Sequence, residues 1–215
     1  MGKVIADVQG KVKASDTSAT FEVENATSSV NYVLSKTDGS ANDHLKTDGA
    51  GNLAWVAPAA PASNTPAFLA VLSANRTITD VTTTNAECNT ELLDTDGLYD
   101  NSTNYRFTVT AGTVGWYWIS GSAEVAFGTN EAGYLRVMIY RNGVEYYTSY
   151  QNMTSNAANT YGLTASGIVD LTTADDYVEL FIRADDQSGN PQLNGKGSNT
   201  FVGTYFNGYK LAGVT

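Results

Sequence analysis

From Trp116 to Phe127 apolar and polar positions alternate. Tyr117, Ile119, Ala123, Val125 and Phe127 share one face, and Trp116, Trp118, Ser120, Ser122 and Glu124 share the other. A period of two is the signature of a β-strand. In "DDYVELFIRADD", Val178, Leu180 and Ile182 point one way, while Tyr177, Glu179, Phe181 and Arg183 point the other. "LRVMIYRNGVEYYTSY" reads as a hairpin, because Asn142-Gly143 between two β-rich runs accepts the positive φ angles of a tight I′ turn. "TFVGTYFNGYKLAG" closes the chain as a final strand pair. No long segment carries a clean 3.6-residue apolar period. Many short strands separated by turns predict an all-β sandwich or jelly roll.

The same pattern raises a question about the second face. Trp116, Trp118, Tyr177 and Phe181 all point away from the core that their own strands build. Aromatic stripes of this kind either mark an interface or lie under a loop or a second sheet. The pattern leaves both readings open, and these four residues are the candidate interface.

The alternation stops at residues 57–66, "APAAPASNTP", which hold three of the four prolines. Such a stretch has few hydrogen-bond donors and favours an extended path, a semi-rigid spacer of roughly 30 Å at most. The expected organisation is a β-rich N-terminal segment over 1–56, a linker over 57–66 and a main domain over 67–215. The first segment contains "KTDGSANDHLKTDGAGNLAW", in which Lys36-Thr-Asp-Gly-Ser-Ala-Asn returns ten residues later as Lys46-Thr-Asp-Gly-Ala-Gly-Asn. Each Asp-Gly or Gly-Asn cluster favours a tight turn. Short apolar pieces lie between the turns, so the segment reads as a small β-meander too thin to bury a core alone.

Charge narrows the function. Among 215 residues the net charge is -10. Residues 1–56 hold five Lys/Arg and seven Asp/Glu, the rest seven and fifteen, so the acidity sits in the larger part. Non-specific binding to nucleic-acid phosphate is not expected. The opening "MGKVIADVQGKV" has no apolar h-region, and nothing reaches the length of a membrane span. Cys88 is the single cysteine, so no intrachain disulfide forms. Without a secretion signal the sequons at Asn25, Asn75, Asn101 and Asn152 read as chance in a Thr/Asn-rich chain.

No catalytic constellation is read, and no enzyme is expected. His44, the one histidine, falls in the repeat rather than beside a nucleophile pattern. One His and one Cys do not build a zinc site within one chain. Three His44 side chains on a trimer axis would be a ring; a solvated turn histidine is the plainer reading. The acidic pairs Asp94/Asp96, Asp175/Asp176 and Asp185/Asp186 offer oxygens suited to calcium, the one cofactor considered, or serve as strand-end turn formers. A glycosidase pair is the remaining alternative for them. Asp38 and Asp48 do not have EF-hand spacing. No phosphate-binding glycine motif runs from a strand into a helix.

The main domain resembles the C1q/tumour-necrosis-factor jelly-roll family. "PAFLAVLSANRTIT" resembles its first strand. "YDNSTNYRFTVTAGTVGWYWISGSAEV" resembles its central run, at Tyr99, Asn104, Phe107, Gly115 and Tyr117. "YRNGVEYY" fits the Asn-Gly hairpin, "VDLTTADDYVEL" the Leu-x-x-x-Asp-x-Val-Glu strand and "TFVGTYFNGYKL" the closing strand. Phe107 and Gly115 stand two residues further apart than the family pattern, no proline lies between them, and Ile119 stands where the family has an aromatic. The resemblance implies a ten-strand jelly roll assembling as a homotrimer, with aromatic strands near the threefold axis. "LKTDGAGNLAWV" is similar to a short segment of tail-fibre and other virion proteins of tailed bacteriophages.

Together these resemblances imply a structural virion protein made in the host cytoplasm and displayed on the virion surface. Its N-terminal segment would anchor it to a major capsid or tail protein and the jelly roll would project. Capsid decoration (cement) and short fibre are the two versions. The alternative is a receptor- or glycan-binding fibre tip, whose Tyr-rich loop "YTSYQNMTSNAANTYG" would hold a host surface glycan.

Overall fold

The computed structural model describes residues 20–21, 32–33, 39–60, 63–128, 132–153, 159–187, 189–196 and 202–214. The sequon at Asn25, residues 36–38 of the first repeat with Asp38, and residues 154–158 of the polar loop lie outside them. The chain divides into two compact units, Met1–Pro61 and Ala62–Thr215.

In the first unit, β1 (Thr20–Phe21) pairs antiparallel with β2 (Tyr32–Val33). A separate hairpin joins β3 (His44–Thr47) to β4 (Leu53–Val56), with Leu45 opposite Trp55. Its turn is the second copy of the repeat. Asp48 accepts the Ala50 and Asn52 amide protons at 2.8 and 3.1 Å, and the Asn52 side-chain amide at 2.6 Å. These bonds hold the Asp48 carboxyl below its ordinary range, the Asn52 side chain contributing most. The first copy makes a turn before β3, where the Ser40 amide donates to Asp43 and Asn42 takes a φ of 76°. A Cβ on Gly39 would stand 2.8 Å from the Trp55 ring, so glycine is what lets that indole lie on the turn.

The second unit is a sandwich of strands β5 (Ala67–Val71), β6 (Arg76–Thr77), β7 (Thr84–Asn85), β8 (Thr90–Asp94), β9 (Tyr99–Asp100), β10 (Arg106–Thr108), β11 (Gly115–Ala126), β12 (Ala132–Arg141), β13 (Val144–Asn152), β14 (Thr160–Leu171), β15 (Tyr177–Asp186), β16 (Gln192–Leu193) and β17 (Tyr205–Lys210). One sheet runs β13-β12-β15-β10-β9, with β7 also on β15. The other runs β6-β16-β11-β17-β5-β8, with β14 on the far side of β11. From β10 the chain passes to β11 in the second sheet, returns for the β12–β13 hairpin, crosses to β14, back to β15 and over to β17. This winding between two antiparallel sheets is a jelly roll.

Alternation places the core. On β11 and β15 every second residue is buried between the sheets. Phe68 stacks on Phe107 at 4.6 Å and meets Phe206 edge-on at 5.1 Å, while Phe107 meets Tyr117 at 5.4 Å. One aromatic column therefore ties strands of both sheets together. The Tyr99 hydroxyl donates to the Cys88 carbonyl at 3.0 Å. In the β12–β13 turn Asn142 and Gly143 have φ of 51° and 77°, as a I′ turn requires.

The expected closing strand pair is a single strand among the described residues. β17 runs between β11 and β5, so its hydrogen bonds go to those neighbours and not to a second closing strand. Edge strand β14 is closed differently. Tyr147 and Ser149 point inward from β13 and donate to the Ile168 and Thr164 carbonyls at 2.8 and 2.6 Å. Side chains thus cap acceptors that an open edge would offer to another chain.

Candidate interaction faces

The four aromatic candidates all point out of the sandwich, but they lie on opposite faces. Trp116 and Trp118 belong to β11 and the outward face of the second sheet. Tyr177 and Phe181 belong to β15 and the outward face of the first. Within one chain they form two surfaces.

On the second sheet Trp118 is flanked directly by Ile168 of β14 and Tyr209 of β17. All three are open to solvent, at 36%, 44% and 39%. Next along the face, Leu69 pairs with the exposed Leu93. The result is a row of large apolar groups across three adjacent strands. Ile168 and Tyr209 escaped the sequence reading because Gly162, Ser166 and Gly167 blur the alternation of β14. The pairing partner of each strand is also set by topology rather than by local pattern.

On the first sheet the outward face is different in kind. Phe181 meets Tyr140 with ring centroids 4.4 Å apart. Met138, directly opposite Phe181, points outward yet is only 1% exposed beneath such neighbours. The Arg106 guanidinium lies 4.1 Å from the centre of the Tyr177 ring, opposite Glu179. Partial burial raises the Glu179 carboxyl above its ordinary range against the pull of Arg106. Arg136 stands directly opposite Arg183 and pairs with Glu145 at 2.8 Å. The arginines were visible as polar beats in "LRVMIYR" and "FIRADD", but only the sheet register sets them side by side.

The other candidates have local roles. His44 is exposed on β3 opposite Val56. Cys88 is buried, and burial pushes its thiol up to about 12, far from a reactive thiolate. Asp94 accepts the Gly97 and Tyr99 amides at 3.0 and 2.9 Å. Asp176 accepts the Asn142 side chain at 2.7 Å and the Thr173 amide at 2.9 Å, and Asp186 accepts the Gly128 amide at 3.0 Å. Asp94 holds its own turn, and Asp176 and Asp186 also bind groups 34 and 58 residues away in sequence. Among the described residues no three His, Cys, Asp or Glu side chains converge to hold a metal ion.

The winding of the two sheets defines an all-β jelly-roll module. Solved structures similar to it include two jelly-roll domains. The globular domain of zebrafish complement 1qA protein is 16% identical, covers 68% of this chain and 98% of its own, and gives a TM-score of 0.42. Murine APRIL is 14% identical, covers 67% of this chain and 99% of its own, and gives a TM-score of 0.47. No family model matches the sequence, and no curated protein matches it.

Proposed function

We propose that this chain is a structural protein of a tailed-bacteriophage particle, a homotrimer displayed as capsid decoration or a short fibre. The observation that carries the self-association is the open row Ile168–Trp118–Tyr209. Removing such a patch from water is what copies of a chain gain by meeting. The two outward aromatic surfaces do not serve one closed ring equally. Contact between opposite faces of a flat sandwich stacks copies into an open column, whereas a ring needs surfaces turned toward a common axis. The interface is therefore assigned to the face of Trp116 and Trp118, and the face of Tyr177 and Phe181 stays free.

The virion assignment draws on the phage-like segment Leu45–Val56. This stretch is the β3–β4 hairpin, whose Leu45, Trp55 and Val56 are 38%, 41% and 37% exposed. A two-stranded hairpin does not bury its own apolar side chains, so docking on a capsid or tail protein supplies the missing contacts.

Light scattering on the full chain tests the assembly. A mass three times 22.8 kDa is expected at micromolar concentration, and a monomer overturns the proposal. Trp118→Asp should dissociate the trimer, since it would bury an unpaired charge. Phe181→Asp should leave it assembled. The reverse result moves the interface to the other face.

A further inference from the structure

The outward face of the first sheet holds Arg106, Arg136 and Arg183, three of the five arginines in a chain of net charge -10. Two of them have local company: Arg106 has the Tyr177 ring and Arg136 has Glu145. Among the described residues Arg183 has no such partner: it makes no ion pair, and its Nε is buried without an acceptor. Asp185, two residues along the strand, packs over Gly133 and leaves Arg183 unpaired. Arg183 also faces Arg136 directly across the ladder. Like charges opposite one another destabilise a sheet, and an unsatisfied buried donor costs more. Both costs fall on one side chain.

That side chain has neighbours of a particular chemistry. Cross-strand pairing sets Tyr150, Arg136 and Arg183 in one row. Tyr150 is 54% exposed, and its ring lies 5.6 Å from that of Tyr134. Thr148 and Asn152 flank Tyr150 on the same face of β13 and add a hydroxyl and an amide. We propose that this row is a binding site for an acidic carbohydrate. The sugar carboxylate sits on the Arg183 and Arg136 guanidinium groups and the sugar ring stacks on Tyr150. A guanidinium pairs with a carboxylate through two parallel N–H donors, which supplies the missing counter-charge. An exposed aromatic ring offers an apolar platform to the C–H face of a sugar, and Thr148 and Asn152 suit its hydroxyls. An acidic peptide shares the charge, but peptides are held along a strand edge or in a groove. This row runs across three strands, from edge strand β13 through β12 to β15, and not along one strand. The site uses residues of a single chain and rests on the reading above that leaves this face free of the interface.

Calorimetric titration of the full chain tests it with oligogalacturonate, a glucuronate-containing oligosaccharide and sialyllactose. Methyl-esterified oligogalacturonate, lactose and a hexaglutamate peptide are the controls. Saturable binding is expected from at least one acidic saccharide, with its neutral counterpart about tenfold weaker or more. Arg183→Gln and Tyr150→Ala should each weaken that binding by about tenfold or more. Arg183→Gln should melt no lower than the parent, because it removes an uncompensated charge, and exposed Tyr150 gives a second variant with little bearing on folding. Three outcomes overturn the proposal. None of the acidic saccharides binds; or binding ignores both substitutions; or hexaglutamate binds as tightly as the best saccharide and depends on Arg183 but not Tyr150, which makes the face an acidic-peptide surface.

Discussion

Gly208 and Asp100 show how single residues hold this sandwich. A Cβ on Gly208 would lie 2.5 Å from the Ile119 side chain, 2.8 Å from the Phe68 ring and 2.9 Å from the Trp118 carbonyl. Backbone and core press on the same point, so Gly208→Ala forces a shift in close-packed surroundings. It should lower stability by about 1–3 kcal/mol in urea titration. Asp100 acts outside the core. It accepts the Thr103, Ser102 and Asn104 amides at 2.9, 3.0 and 3.0 Å, and the Asn104 side chain at 2.9 Å. These donors, the Thr103 amide first, hold its carboxyl well below the ordinary value of 3.8. A depressed carboxyl stabilises the fold above its unfolded pKa and loses that contribution as pH falls toward the folded one. Asp100→Asn should therefore cost roughly 0.5–1 kcal/mol at pH 7, allowing for solvent screening of so open a group. The difference from the parent should shrink progressively below pH 3.8, and melting curves across pH check both parts.

At the scale of elements, the edges are where the fold is most exposed to error. Among the described residues β14 pairs only with β11, and its outer acceptors at Ile168 and Thr164 are met by Tyr147 and Ser149 from the facing sheet. Gly167 makes this arrangement fit, because any Cβ there would collide with the Tyr147 ring. Tyr147→Phe keeps the ring and removes the donor. It should cost about 0.5–1.5 kcal/mol and hasten aggregation on heating, measured by denaturant titration and turbidity. The I′ turn before β13 was legible from Asn-Gly, since few residues accept two positive φ angles in succession. The capping of β14 was not legible, because it joins residues about twenty apart in sequence across two sheets.

At the scale of the whole molecule, the two units differ in what they bury. Ala62–Thr215 contains the aromatic column and the alternating strands that enclose it. The β3–β4 hairpin leaves Leu45, Trp55 and Val56 open. A chain of residues 62–215 should therefore fold and assemble by itself, yet fail to attach to particles that lack this protein, while the full chain attaches. Sedimentation of such particles with each protein decides it. Equal attachment by the shorter chain places the anchor in the jelly roll.

The amino-acid sequence alone determined the all-β class, the long strands and which residues of each face inward. Those features follow from a side-chain period of two, which is local and survives any arrangement of neighbours. Val178, Leu180 and Ile182 turn to the core for that reason, and Tyr177 and Phe181 turn away. Only the tertiary structure decided that Trp118 and Phe181 look out of opposite faces, that Ile168 and Tyr209 extend the row of Trp118, and that Arg183 stands against Arg136. Each depends on which sheet a strand joins and in what register. Hydrogen bonding and burial across the whole sandwich set that choice, and no short stretch of chain contains it.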